Sequence, residues 1–91
     1  MLWPMSNEIW RVVVDASVRK TLSKIPLGDA ESIAAVLVEI SGNPYGGDVQ
    51  KLKGEDAWRR RVRSYRLRYR IFQDTRTVFV YELKRRTSTT Y

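Results

Sequence analysis

Neither cysteine nor histidine occurs anywhere in the 91 residues. Without cysteine there is no disulfide framework and no thiolate nucleophile. Without histidine the chain lacks the commonest general base near neutral pH and the commonest metal ligand. Long apolar runs are missing too, and no stretch approaches the ~18 residues that a membrane helix needs. The opening Met1-Leu2-Trp3-Pro4-Met5 is too short for the core of a signal peptide and has no basic lead. No glycine-rich loop cradles phosphate, because Gly46-Gly47 reads only as a turn. The carboxylates are scattered, with no spacing that suggests a metal site or an acid–base pair. These absences predict a cytoplasmic protein that uses neither metal nor cofactor and touches no membrane.

What is present is charge of one sign, in one half of the chain. The net charge is +7 and 43% of residues are hydrophobic, which is enough apolar content for a globular fold. Residues 1–50 hold four basic and six acidic side chains, whereas residues 51–91 hold thirteen basic and four acidic. Seven of the fourteen residues from Ala57 to Arg70 are arginine. A basic half on a neutral-to-acidic half is the electrostatic footprint of a polyanion-binding face.

The length allows one domain. Residues 1–8 read as a flexible tail and residues 9–91 as a single domain. Trp10–Val14, rich in β-branched residues, predicts a strand. Asp15 can cap a helix carrying Val18, Leu22 and Ile25 on one face, which Pro26 stops and Leu27-Gly28 turns. Asp29 can cap a second helix with Ile33, Val36, Leu37 and Ile40 on its apolar stripe, closed by a left-handed Gly42 and by Pro44. From residue 48 the period changes to two. Asp48–Leu52, Trp58–Val62, Tyr65–Gln73 and Thr77–Leu83 read as strands, and their short links imply antiparallel pairing. The predicted class is α+β, a two-helix hairpin packed on one face of a small, mainly antiparallel sheet, in the order strand, helix, helix, strand meander.

Strand alternation sorts the arginines. Tyr65, Leu67, Tyr69 and Ile71 point toward the helices, and Arg66, Arg68 and Arg70 point away. Trp58 and Val62 point inward, and Arg59 and Arg61 outward. Arg60 breaks the pattern: it either sits at a sheet margin with its head in water or marks a bulge that resets the alternation. Like charges side by side on a sheet cost stability, a cost that a bound polyanion removes. Arginine also pairs with phosphate through a planar fork.

The stretches "NPYGGDVQKLKGEDAWRRRVRSYRLRYRI" and "TRTVFVYELKRRTSTTY" resemble the RelE/ParE superfamily of bacterial and archaeal type II toxins. Its Leu-Lys-Gly turn, Trp-Arg-x-Arg strand and Tyr-Arg-x-x-Tyr strand are matched, and "WRVVVDASVRKTLSKIP" resembles its first strand and helix. The resemblance implies a RelE-like fold over about residues 9–91, a cognate antitoxin as partner, and one of two activities. RelE-like members are endoribonucleases that cut mRNA on the ribosome; ParE-like members inhibit DNA gyrase. The basic positions of the nuclease type fall on Arg59, Arg61 and Arg66, and its C-terminal arginine and tyrosine on Arg85 and Tyr91. This chain departs from the pattern at Arg60, where an aliphatic residue is usual, and lacks a glycine near Leu83-Lys84.

The resulting expectation is a metal-independent mRNA interferase. A ribose 2′-hydroxyl attacks the adjacent phosphorus, leaving a 2′,3′-cyclic phosphate and a 5′-hydroxyl. Arg59 and Arg61 position phosphates, Arg66 and Arg85 stabilise the phosphorane, and Tyr91 acts as base or stacks on a nucleobase. Lys51, Lys53, Arg63, Arg68, Lys84 and Arg86 add nonspecific attraction to RNA. The alternatives are a ParE-like gyrase inhibitor and an inert RNA-binding homologue.

Overall fold

The computed structural model describes residues 9–47, 49–52 and 57–85. The chain starts with strand β1 (Arg11–Val14). Asp15 ends it and opens helix α1 (Ala16–Leu22), its carboxylate accepting from the Ser17 N–H at 3.0 Å and the Ser17 hydroxyl at 2.6 Å. These hydrogen bonds hold the Asp15 carboxyl below its usual pKa.

Helix α1 is shorter than the apolar spacing suggests. It stops at Leu22, and Ile25 packs on the core from the connection that follows. Pro26 begins the second helix instead of merely ending the first. Its extended backbone is the N-cap of α2 (Leu27–Gly42), and its carbonyl accepts from the Ala30 N–H at 3.0 Å. A proline loses nothing there, because the first N–H groups of a helix have no intrahelical partner. Asp29 therefore sits in the first turn of α2 and does not cap it. The far end is also different from expectation. Gly42 is the last helical residue, and the cap is Asn43 in extended backbone (φ −158°), with its N–H on the Glu39 carbonyl.

Four strands follow: β2 (Val49–Lys51), β3 (Ala57–Val62), β4 (Tyr65–Phe72) and β5 (Thr77–Arg85). The sheet order is β1-β5-β4-β3-β2. β2 to β5 form an antiparallel meander, and β5 returns to lie parallel to β1. The helices carry the chain from one sheet edge to the other and cover one face. Val18, Ile33 and Ile40 from the helices meet Val62, Tyr65, Leu67, Tyr69, Val78, Val80 and Leu83 from the sheet in one buried cluster. The opposite, outer face has no layer over it among the described elements.

Arg60 resolves differently from both expected alternatives. Strands β3 and β4 pair without interruption from Ala57–Arg70 to Val62–Tyr65, so there is no bulge at Arg60. Nor does its head reach water: Arg60 points inward and is 8% exposed. Its Nη2 pairs with Glu39 Oε1 at 2.5 Å, and its Nη1 donates to the Gly46 carbonyl at 3.2 Å. The end of α2 and the following loop thus act as its acceptor. Gly47 makes this possible. It has φ +82°, and a Cβ there would lie 2.7 Å from the Arg60 Cζ.

The irregularity lies in β5 instead. Arg68 faces Glu82 and Tyr69 faces Val80, leaving Tyr81 as an extra residue.

Candidate nucleic-acid interface

Strands β3 and β4 bring four arginines together. Arg59 lies directly opposite Arg68, and Arg61 directly opposite Arg66. Directly opposed residues share a face with Cβ atoms ~4.5–5.5 Å apart. On the β5 side, Arg68 is opposite Glu82 and Arg66 opposite Lys84. On the β2 side, Arg59 is opposite Gln50 and its Nη2 donates to Gln50 Oε1 at 2.5 Å. Two rows therefore cross the outer face: Gln50-Arg59-Arg68-Glu82 and Arg61-Arg66-Lys84. Tyr65, Leu67 and Tyr69, buried on the other side of β4, hold this orientation.

The bulge at Tyr81 determines what β5 adds. Val78 and Val80 are fully buried. Unbroken alternation would put Glu82 in the core beside them. The extra residue turns Glu82 and Lys84 outward and Leu83 inward. Phe79 and Tyr81, ring centroids 6.5 Å apart and stacked at 30°, extend the same face toward β1.

Arg70, opposite Phe79, continues this face, and the other basic positions expected to attract RNA or to act in catalysis lie elsewhere. Arg85 is opposite Tyr65, on the helix-side face, so the register separates it from Arg66. Lys51 is opposite Trp58 on the helix side, with Nζ 5.9 Å from the Trp58 ring centroid. Arg63 takes a left-handed φ of 53° in the β3–β4 turn, and its Nη1 is 3.6 Å from Asp29 Oδ1. Lys53, Arg86 and Tyr91 lie outside the described residues, as does the 1–8 tail.

Two buried tyrosines serve the fold. Tyr69 donates its hydroxyl to the Pro44 carbonyl at 3.0 Å, and burial pushes its pKa up to about 12 against the pull of nearby Arg60. Tyr65 donates to Asp29 Oδ2 at 3.2 Å; burial and that bond raise its pKa, while Arg85 lowers it. Both hydroxyls point away from the arginine face.

Glu82 escaped the sequence reading. Its signal was there: a glutamate two residues after a buried valine, followed by an apolar leucine, conflicts with period two. A recess of about 320 Å³ opens on the helix-side face between Tyr45, Lys51, Trp58, Ile71 and Gln73. Among the described residues no three carboxylates, histidines or cysteines gather, and no helix is long and apolar enough to cross a membrane.

The architecture is α+β, a helical hairpin on one face of a five-stranded mixed sheet whose open face carries opposed arginines. No protein-family model matches the chain, and no curated protein matches it in sequence. Solved structures do. The archaeal RelE–RelB complex from Pyrococcus horikoshii OT3 is similar at a TM-score of 0.78 and 24% identity, over 89% of this chain and 99% of that chain. The isolated RelE toxin of E. coli aligns at 0.76 and 24% identity, over 88% and 87%. The intact RelBE toxin–antitoxin complex of E. coli aligns at 0.72 and 26% identity, over 86% and 98%. The chain has the RelE/ParE-like toxin fold.

Proposed function

We propose that this protein is the toxin of a type II toxin–antitoxin pair and an endoribonuclease that cleaves mRNA on the ribosome. The observation that carries the reading is the two pairs of opposed arginines, Arg59/Arg68 and Arg61/Arg66, on the open face of a RelE-like fold. Four guanidinium groups in two rows repel one another until an anion bridges them. A phosphodiester does so, with bidentate geometry that arginine matches and lysine does not.

Cleavage by 2′-hydroxyl attack needs three things: charge neutralisation on the phosphorane, a base and an acid. Arg66 supplies the first, flanked by Arg61 and Lys84. Arg59 and Arg68 hold the neighbouring phosphate. The guanidinium groups supply the positive charge that a metal ion provides in other nucleases. Arg85 and Tyr91 keep the catalytic roles that the resemblance implies; for Arg85 this requires reaching past the end of β5 from the helix side. Lys51, Lys53, Arg63 and Arg86 contribute long-range attraction to ribosomal RNA. The ribosome orients the strand, a contribution worth many powers of ten. An antitoxin is the protein partner, as for the RelE–RelB complexes that share the fold.

The test is cell-free translation with primer extension on the mRNA. New ends within the translated frame, absent with Arg66→Ala, support the reading. Intact mRNA under conditions where the protein arrests DNA supercoiling by gyrase replaces it with a ParE-like activity.

A further inference from the structure

Glu82 is the only carboxylate in the described strands. The bulge at Tyr81 is what brings it to the arginine face, directly opposite Arg68. Bulges commonly re-aim a side chain next to a functional site. Its side chain is 28% exposed, and its Oε2 lies 3.9 Å from Lys84 Nζ, at the long limit of an ion pair. Lys84 itself is opposite Arg66. The ammonium is therefore across from the arginine proposed to hold the reacting phosphate, and the carboxylate stands diagonally from it, across from Arg68. They are two residues apart on one strand, so their Cα atoms are ~6.8 Å apart, a span that lets two flexible side chains reach either side of one phosphoryl group.

Arginine does not exchange its proton in proteins and cannot serve as base. The Tyr65 and Tyr69 hydroxyls face the helices. A carboxylate accepts and an ammonium donates, so the two complementary groups needed are both on this face.

We propose that Glu82 is the general base of the cleavage and Lys84 the general acid, which leaves Tyr91 the stacking role of its two, an inference that rests on the nuclease reading above. A Glu82 carboxylate oxygen takes the proton of the 2′-hydroxyl as the O2′–P bond forms. The P–O5′ bond breaks, and Lys84 gives a proton to O5′. The products are a 2′,3′-cyclic phosphate and a 5′-hydroxyl. The proton on Glu82 then passes to Lys84, which restores both groups with no net gain or loss.

The competing role for Glu82 is counter-charge alone, and the two roles separate experimentally. The full-length protein and its Glu82→Gln variant are assayed on ribosomes programmed with mRNA. Binding is measured in parallel with the same mRNA carrying 2′-deoxyribose at the cut site, which cannot react. A base predicts at least ~100-fold slower cleavage in Glu82→Gln, equal or tighter binding, and loss of the acid limb of the pH–rate profile. Cleavage within threefold of wild type with an unchanged profile overturns the proposal and leaves the nuclease reading standing. Wild-type protein that binds and never cuts overturns both. If Glu82→Gln fails to fold, Glu82→Asp decides. One methylene less slows a base at least ~10-fold with an unchanged melting temperature, whereas a counter-charge tolerates it. For Lys84, the Lys84→Met variant is slow on the normal linkage. Its rate returns on a substrate with sulfur replacing O5′, because a thiolate leaves without an acid. No recovery on sulfur overturns the acid assignment.

Discussion

Replacing Gly47 by alanine perturbs two things at one point. The residue has φ +82°, a region costing a non-glycine residue about 1 kcal/mol. The new Cβ also lies 2.7 Å from Arg60 Cζ and Nη1 and 2.8 Å from Nη2, too close for any real contact. The obstacle is the end of a flexible side chain, but that end is buried and bonded to Glu39 and the Gly46 carbonyl. Moving it gives up both contacts. Glu39 is 61% exposed, so the ion pair counts at the weak end of the range. The two contacts together amount to about 1–2 kcal/mol, and the whole substitution to about 2–3 kcal/mol. The assay is urea unfolding followed by tryptophan fluorescence, at constant m-value. Arg60→Met removes the obstacle while keeping a long apolar stem. In that background Gly47→Ala loses only the backbone cost of about 1 kcal/mol, so the double-mutant cycle shows a coupling of about 1–2 kcal/mol. Equal losses in both backgrounds would refute the reasoning, since they would mean that the guanidinium does not occupy the space beside Gly47.

Two further outcomes follow from the same geometry. Arg61→Gln removes one of two opposed cations, so the free protein gains about 0.2–1 kcal/mol in urea unfolding while its RNA affinity falls and the salt slope drops by about 0.7; a loss of stability would contradict the opposed-charge reading. Tyr69 has its pKa raised to about 12 from an ordinary 10.0. A raised pKa means that the unfolded state ionises first, so its contribution is complete below pH 10 and lost as pH climbs from 10 to 12. The rise is worth about 2 kcal/mol, read as a fall in unfolding free energy between pH 9.5 and 12, from urea titrations, that is smaller by that amount in Tyr69→Phe.

Much of the fold is legible because it is dictated locally. The switch from a helical period to period two near residue 48, the inward run Tyr65-Leu67-Tyr69 and the outward run Arg66-Arg68 depend only on neighbouring residues and backbone geometry. So does the Asp15 cap. Less legible were the helix ends. Pro26 reads as a stop, yet the same lack of an N–H suits it to start α2. Arg60 reads as a fault in β3 because its partner, Glu39, is 21 residues away. No local rule shows that the end of α2 will deliver acceptors to that point.

The candidate site divides in the same way. Composition and alternation alone placed Arg59, Arg61, Arg66 and Arg68 on one surface, because adjacent antiparallel strands joined by a two-residue turn have only one register that buries both apolar sets. Tertiary structure decided the rest. The parallel β1–β5 pairing needs the helices to carry the chain across the sheet, so it depends on the packing of the whole domain. The bulge at Tyr81 arises where β5 must match β4 along its length while burying Val78, Val80 and Leu83. A single extra residue there reverses every side chain beyond it. It puts Glu82 and Lys84 among the arginines and Arg85 beside Tyr65, because a strand has two faces and the partner's register chooses between them.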